Sequence, residues 1–310
     1  MKIMYMGTPA FAARVLEIIA EEFSDSTIMA ITKPDTPKGR AYKLLPCETK
    51  VKALELGFEV ATPENLKEES FLETLKGFDP DIIIVAAYGK ILPEYVLNYA
   101  PLGAINVHGS LLPEYRGAAP VNRAIIDGKK KTGVTIMYME KGLDTGDMLS
   151  KAEVEIREDM TATELFGELA EVGGRLVCQT VRDIVSGKAR REKQDDTLST
   201  YAEKLCPEDR IIDWSRSAFE ITRQIHGLSD EPSATTRMPD GKLLKIYRAE
   251  ASDEGFDASV GEVVVAKKKI QIACGEGSVL LKEVQAEGGK RLTAADFLNG
   301  RKIALGDKLS

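Results

Sequence analysis

Residues 81–86 read Asp-Ile-Ile-Ile-Val-Ala. An apolar run this short and this rich in β-branched residues has no polar face to show to water. It is expected to be a strand buried on both sides. Such a strand belongs in a mostly parallel sheet covered by helices on both faces. The neighbouring sequence agrees. Ile3 to Met6 reads as a strand, Ala10 to Glu22 as a helix, Thr27 to Thr32 as a second strand, and Gly103 to His108 as another. This alternation implies a Rossmann-like α/β domain. Ligands of such sheets sit at the carboxyl ends of the strands.

The chain has 310 residues, enough for two domains. A long helix is expected from Ala162 to Val185. Thr161 and Glu164 form a capping-box pattern at its start, and Gly187 follows its end. The polar, charge-mixed stretch after it reads as a linker. The first domain is therefore placed at 1–190, the linker at 191–205 and the second domain at 206–310. Beyond the linker, a helix near Ser217 to His226 precedes short strands at Leu243 to Tyr247, Gly261 to Ala266, Lys269 to Ala273 and Ser278 to Val284. Short, evenly spaced strands suggest a small barrel or sandwich.

Hydrophobic residues make up 43% of the chain and charged residues 29%, which is ordinary for a globular protein and supplies a sizeable core. No apolar run approaches the roughly 18–20 residues of a membrane span. The N-terminus reads as a buried first strand, not a signal peptide, so the cytoplasm is the expected compartment. Cys47, Cys178, Cys206 and Cys274 are widely spaced, with no C-x-x-C pair, so neither a zinc site nor a disulfide framework is expected. The net charge is −7; from residue 207 onward 16 Lys and Arg face 17 Asp and Glu. A polyanionic partner would have to be met by local basic patches rather than by the overall field.

There are two histidines, His108 and His226. In a strand ending at His108, Ile105 and Val107 point one way, and Asn106 and His108 the other. An amide and an imidazole thus share a face at the carboxyl end of a buried strand. A second polar cluster, Glu140 to Asp147, follows a strand at Gly133 to Met139, and Asp144 is its first acid. A carboxylate beside a histidine fixes its tautomer. Asn, His and Asp suit acyl transfer to an amine. The Asn106 amide and a protonated His108 can donate to the oxyanion. Asp144, directly or through His108 and water, can move the proton. Asp147 reads as a loop-stabilising acid. The segment GTPAFA at Gly7 to Ala12 is not a dinucleotide fingerprint.

The segment INVHGSLLPEYRGAAPVNRAI, with GVTIMYMEKGLDTGDML downstream, resembles the folate-dependent formyltransferase family. That resemblance implies Asn106, His108 and Asp144 as a catalytic trio. It implies a folate pocket lined by Ser110, Leu111, Leu112, Pro113 and the backbone near Ile84 to Tyr88, with 10-formyltetrahydrofolate as formyl donor and no metal. The opening MGTPAFAARVLEII, the loop TKPDTPKGRAYKLLP and the late RIIDW resemble the branch of the family that acts on aminoacylated tRNA. They imply an initiator methionyl-tRNA as partner, no membrane, a monomer, and a second domain that is an OB-like, tRNA-binding barrel.

The loop from Lys33 to Lys50 carries Lys33, Lys38, Arg40, Lys43 and Lys50 against Asp35 and Glu48. Such a loop can grip phosphates. The resemblance places Arg40 in the acceptor stem, flanked by Lys38 and Lys43. His226 reads as a surface or interface histidine, and Lys267 to Lys269 as a solvated hairpin turn. The alternative acceptor, with the same chemistry, is an amino sugar or another small amine.

Overall fold

The computed structural model describes residues 1–38, 43–300 and 303–310. The first strands and helices are β1 (Lys2–Gly7), α1 (Ala10–Glu22), β2 (Thr27–Ile31), β3 (Thr36–Lys38), β4 (Lys43–Leu45), α2 (Glu48–Glu55) and β5 (Glu59–Ala61). Then come α3 (Glu69–Phe78), β6 (Ile82–Ala86), α4 (Glu94–Leu97), β7 (Ala104–His108), β8 (Arg116–Gly117) and α5 (Pro120–Ile126). β9 (Lys131–Tyr138), β10 (Met148–Glu155), α6 (Ala162–Val185) and β11 (Tyr201–Ala202) complete this part of the chain.

Among the described residues, seven of these strands form one sheet in the order β10-β9-β7-β6-β1-β2-β5. The neighbours β5-β2-β1-β6-β7 run parallel, and β9 joins β7 antiparallel. All five residues of β6 are buried. The double coverage expected of that apolar run is therefore found. β1 and β7 lie on either side of β6 with Gly7 opposite Ala86 and Asn106 opposite Val85, so three carboxyl ends open together. The capping box of α6 forms as expected. The Thr161 backbone N–H donates to Glu164 Oε2 at 2.8 Å, and the Glu164 N–H donates to Thr161 Oγ1 at 3.3 Å.

The chain divides inside the expected linker, after Ala202, and two earlier pieces join the later part. It forms two compact units. The first comprises 1–120, 132–155 and 166–202; the second comprises 121–131, 156–165 and 203–310. The expected linker is stitched into the first unit as far as Ala202. Glu192 bridges Met148, and β11 pairs in parallel with β8. Most of the linker's residues are exposed, but Gln194 is buried and bonds across the chain to Arg116, Asp144 and Gly146.

In the second unit, α7 (Ala218–Gly227) is followed by β12 (Ala234–Arg237), β13 (Leu243–Ser252), β14 (Val263–Ala266), β15 (Ile270–Ala273), β16 (Ser278–Ala286), β17 (Leu292–Thr293) and α8 (Ala294–Asn299). Its strands pair antiparallel in the order β12-β13-β16-β15-β14, with β17 on β16. α7 starts at a complete capping box between Ser217 and Glu220. Ile212 and Trp214 from the RIIDW segment enter the core, where Trp214 Nε1 donates to Thr236 Oγ1 at 3.0 Å. The lysines at 267–269 are exposed at the turn between β14 and β15. His226 departs from its surface reading: it is buried at 4% exposure, and its Nε2 lies 3.0 Å from the Ala249 carbonyl oxygen. All four cysteines are free.

Candidate active site

β7 sets the direction of the site. Its apolar residues Ile105 and Val107 are buried, and Val107 packs on Gly173 of α6. Alternation then puts Asn106 and His108 on the opposite face. His108 is 5% exposed, and Asn106 is half-buried. The turn beyond the strand folds back on the imidazole. Tyr115 adopts a left-handed φ of 58°, and its carbonyl oxygen lies 2.9 Å from His108 Nε2. A carbonyl can only accept, so Nε2 carries a hydrogen and Nδ1 is the nitrogen left to face the site. Nδ1 faces Asp144 Oδ2 at 3.7 Å, beyond direct hydrogen bonding but within strong electrostatic reach.

Asp144 is held from two sides. Its Oδ2 accepts the Gly117 N–H at 2.8 Å, and its φ of 52° is left-handed, a conformation Asp tolerates better than most residues. Its carbonyl oxygen and that of Gly146 both accept from Gln194 Nε2 at 2.8 Å. Gln194 Oε1 in turn accepts from Arg116 Nε at 3.0 Å and Nη2 at 2.8 Å, and Arg116 Nη2 also meets Asp196 at 2.7 Å. Arg116 is 2% exposed. A guanidinium buried that deeply requires such partners. Every donor and acceptor of the Gln194 amide is satisfied, so its orientation is unique.

The expected folate segment is equally constrained. Ser110 Oγ donates to the Glu114 carbonyl at 2.6 Å. Thr135 on β9 donates to the Ser110 carbonyl at 2.7 Å and accepts the Leu112 N–H at 3.0 Å. Leu111 lies against Gly133, and Leu112 packs with Met137 and Met148. The Pro113 carbonyl accepts the Thr200 N–H at 3.3 Å, and Thr200 Oγ1 accepts the Tyr115 N–H at 2.8 Å. The Tyr88 ring is packed in the core with Met4, Met6 and Val85, so only its backbone borders the strand ends. There Thr8 Oγ1 donates to the Tyr88 carbonyl at 3.0 Å. Burial pushes the Tyr88 hydroxyl up to about 12, and it has no hydrogen-bond partner among the described residues.

The structure thus brings Asn106 and His108 together on one strand face and Asp144 within reach of His108. Arg40 lies outside the described residues. Lys38 and Lys43 are paired in register at the end of the β3–β4 ladder. Sequence reasoning missed Arg116 on β8, Thr135 on β9, and Gln194 and Thr200 in the expected linker, which hold the site.

The Formyl transferase family matches residues 1–181, and the Formyl transferase, C-terminal domain family matches residues 204–302. A methionyl-tRNA formyltransferase of Geotalea daltonii is 43% identical over 100% of this chain and 98% of its own. The one from Clostridium novyi is 45% identical over 98% of each. Among solved structures, an N-formyltransferase from Helicobacter canadensis in complex with folinic acid and dTDP-3-aminofucose shares the fold. Its TM-score is 0.67 at 18% identity, covering 94% of this chain and 100% of that one. HypX from Aquifex aeolicus in complex with tetrahydrofolic acid gives 0.66 at 17%, covering 96% of this chain and 46% of HypX; this chain spans less than half of HypX.

Proposed function

Because this chain belongs to the formyl transferase family, we propose that it moves the formyl group of 10-formyltetrahydrofolate to the α-amino group of methionyl initiator tRNA. The observation that carries this reading is the Asn106–His108–Asp144 arrangement at the open end of the parallel sheet, in a chain matched end to end by methionyl-tRNA formyltransferases.

The residues divide the work as follows. As the amine nitrogen bonds to the formyl carbon, the Asn106 amide donates to the oxyanion. His108 Nδ1, the free ring nitrogen, takes the proton that the amine sheds. The resulting imidazolium stands 3.7 Å from Asp144 Oδ2, where the carboxylate compensates its charge. The same Nδ1–H then returns the proton to the folate nitrogen as its bond to the formyl carbon breaks. Ser110 to Pro113 and the backbone near Tyr88 hold the folate. No step calls on a metal.

Lys38, Arg40 and Lys43 grip the acceptor end of the tRNA, and the antiparallel sheet of the second unit serves as an OB-like tRNA holder. The enzyme works as a cytoplasmic monomer. Among the described residues no helix is long and apolar enough to cross a membrane.

The test is single-turnover transfer from 10-formyltetrahydrofolate to a panel of aminoacylated tRNAs and amino sugars, with tRNA binding at two salt concentrations. Formyl on methionyl initiator tRNA, with binding that weakens steeply with salt, is the expected result. Transfer to amino sugars alone would favour the small-amine acceptor. Arg40→Ala should leave folate affinity intact and weaken the tRNA complex by about 1–3 kcal/mol.

A further inference from the structure

Helix α7 has two faces. Ala218, Ile221 and Ile225 enter the core of the second unit. Phe219, Thr222, Arg223 and His226 lie at the i, i+3, i+4 and i+7 spacing that aligns side chains in one stripe. That stripe lines a cavity of about 320 Å³ within the second unit. Ile125, Ile156 and Met160 give the cavity an apolar wall, and β13 adds Ala249 to Ala251.

The stripe holds polar groups that the described residues leave unmatched. Thr222 is 8% exposed, and its hydroxyl has no hydrogen-bond partner among the described residues. A helical threonine ordinarily satisfies itself on the carbonyl one turn back. The Arg223 guanidinium lies against Gly128 and meets no carboxylate among the described residues. Phe219 is 41% exposed. Burial pushes the His226 imidazole below its ordinary value. The other wall charges balance, Lys129, Lys130 and Arg157 against Glu158, Asp159 and Glu250. Arg223 therefore sets the sign.

We propose that this cavity is a nucleotide site, with a base stacked on Phe219, an edge atom of the base hydrogen-bonded to Thr222 and a phosphate on Arg223. Aromatic stacking suits any base. An arginine fork suits phosphate, and a hydroxyl can serve either a donor or an acceptor on the base edge. The volume lies at the small end for ligand cavities, the size of a single nucleoside. A purely apolar ligand would leave Thr222 and Arg223 unmet. A bare anion would leave the apolar wall unused. A free nucleotide and an unstacked nucleotide of a bound RNA present the same chemistry.

The test is calorimetric titration of the full chain with AMP, GMP, CMP and UMP, beside equilibrium binding of tRNA. Phe219→Ala, Thr222→Val and Arg223→Met are compared with wild type. Expected is binding of at least one monophosphate, weakened about five- to a hundredfold by each variant, with folate affinity unchanged. If no monophosphate binds but the variants weaken tRNA binding to that extent, the occupant is a nucleotide of the RNA; only this arm rests on the tRNA reading. Wild-type behaviour of all three variants in both arms overturns the proposal. Thr222→Val preserves shape and carries the test alone should a variant fail to fold. Loss of formyl transfer would sink the reading of the first unit and leave this one standing.

Discussion

Gln194 decides more about the active site than its place in a polar stretch suggests. One amide both caps a buried arginine and ties down the loop that carries Asp144. Gln194→Glu would set a carboxylate against two carbonyl oxygens. A shift of about 1 Å in a reacting group can cost about 10²-fold in rate. The variant should therefore lose on that order in single-turnover transfer while folate affinity, measured by titration, changes little. His108→Ala and Asp144→Ala should each lower turnover by at least about 10²-fold. Asn106→Asp should fall below Asn106→Ala, because it sets a negative charge where the oxyanion forms. Equal activity of those two variants would remove Asn106 from that role. The pairing of Asn106 with His108 was legible in sequence because strand alternation is local and has a period of two. Gln194, Thr135 and Thr200 were not. Their side-chain hydrogen bonds reach partners 23 to 85 positions away, and such contacts leave no periodic trace.

Short elements do much of the holding. β8 and β11 contain two residues each, yet their pairing seats Gly117 where its N–H reaches Asp144. Gly117 has a φ of 117°, and a Cβ there would sit 2.7 Å from the Ala202 carbonyl oxygen. Gly117→Ala must part the two strands and is expected to cost about tenfold or more in turnover through the displaced N–H, read as a fall in kcat at fixed folate saturation. The cap of α7 gives a pH signature. Hydrogen bonding to the Ser217 side chain, then to Arg216, holds the Glu220 carboxyl at about 2 against an ordinary 4.5. The unfolded chain binds that proton more readily. The cap's contribution is thus complete above about 4.5 and is lost as pH falls toward about 2. Glu220→Ala should lower the urea midpoint at pH 7 by less than about 1 kcal/mol equivalent, since the group is half-exposed. The gap should close in acid. Long periodic elements such as α6 were readable to the residue. β12, β17 and α8 were not, being too short for a pattern to declare itself.

At the scale of the whole molecule, the chain passes between its two units several times. A polar stretch beyond a long helix looks like a boundary in sequence. Here the boundary falls at Ala202, and two earlier pieces, 121–131 and 156–165, belong with residues 203–310. Truncation therefore cannot separate the units cleanly. A chain stopped at Ala202 keeps both pieces but none of the residues that complete their unit. Its urea midpoint should fall below that of the full chain, and stopping at Arg191 should lower it further by removing Gln194 and Thr200. A fragment as stable as the full chain would contradict this division. The same interleaving has a consequence during synthesis. The ribosome releases 121–131 and 156–165 long before the C-terminus exists. At roughly 5–20 residues per second, those segments wait on the order of ten seconds with apolar side chains such as Ile125 and Met160 unsheltered. The nascent chain is thus a client for chaperones during that interval, and slowing elongation downstream of residue 165 should raise its aggregation more than slowing elongation near residue 80.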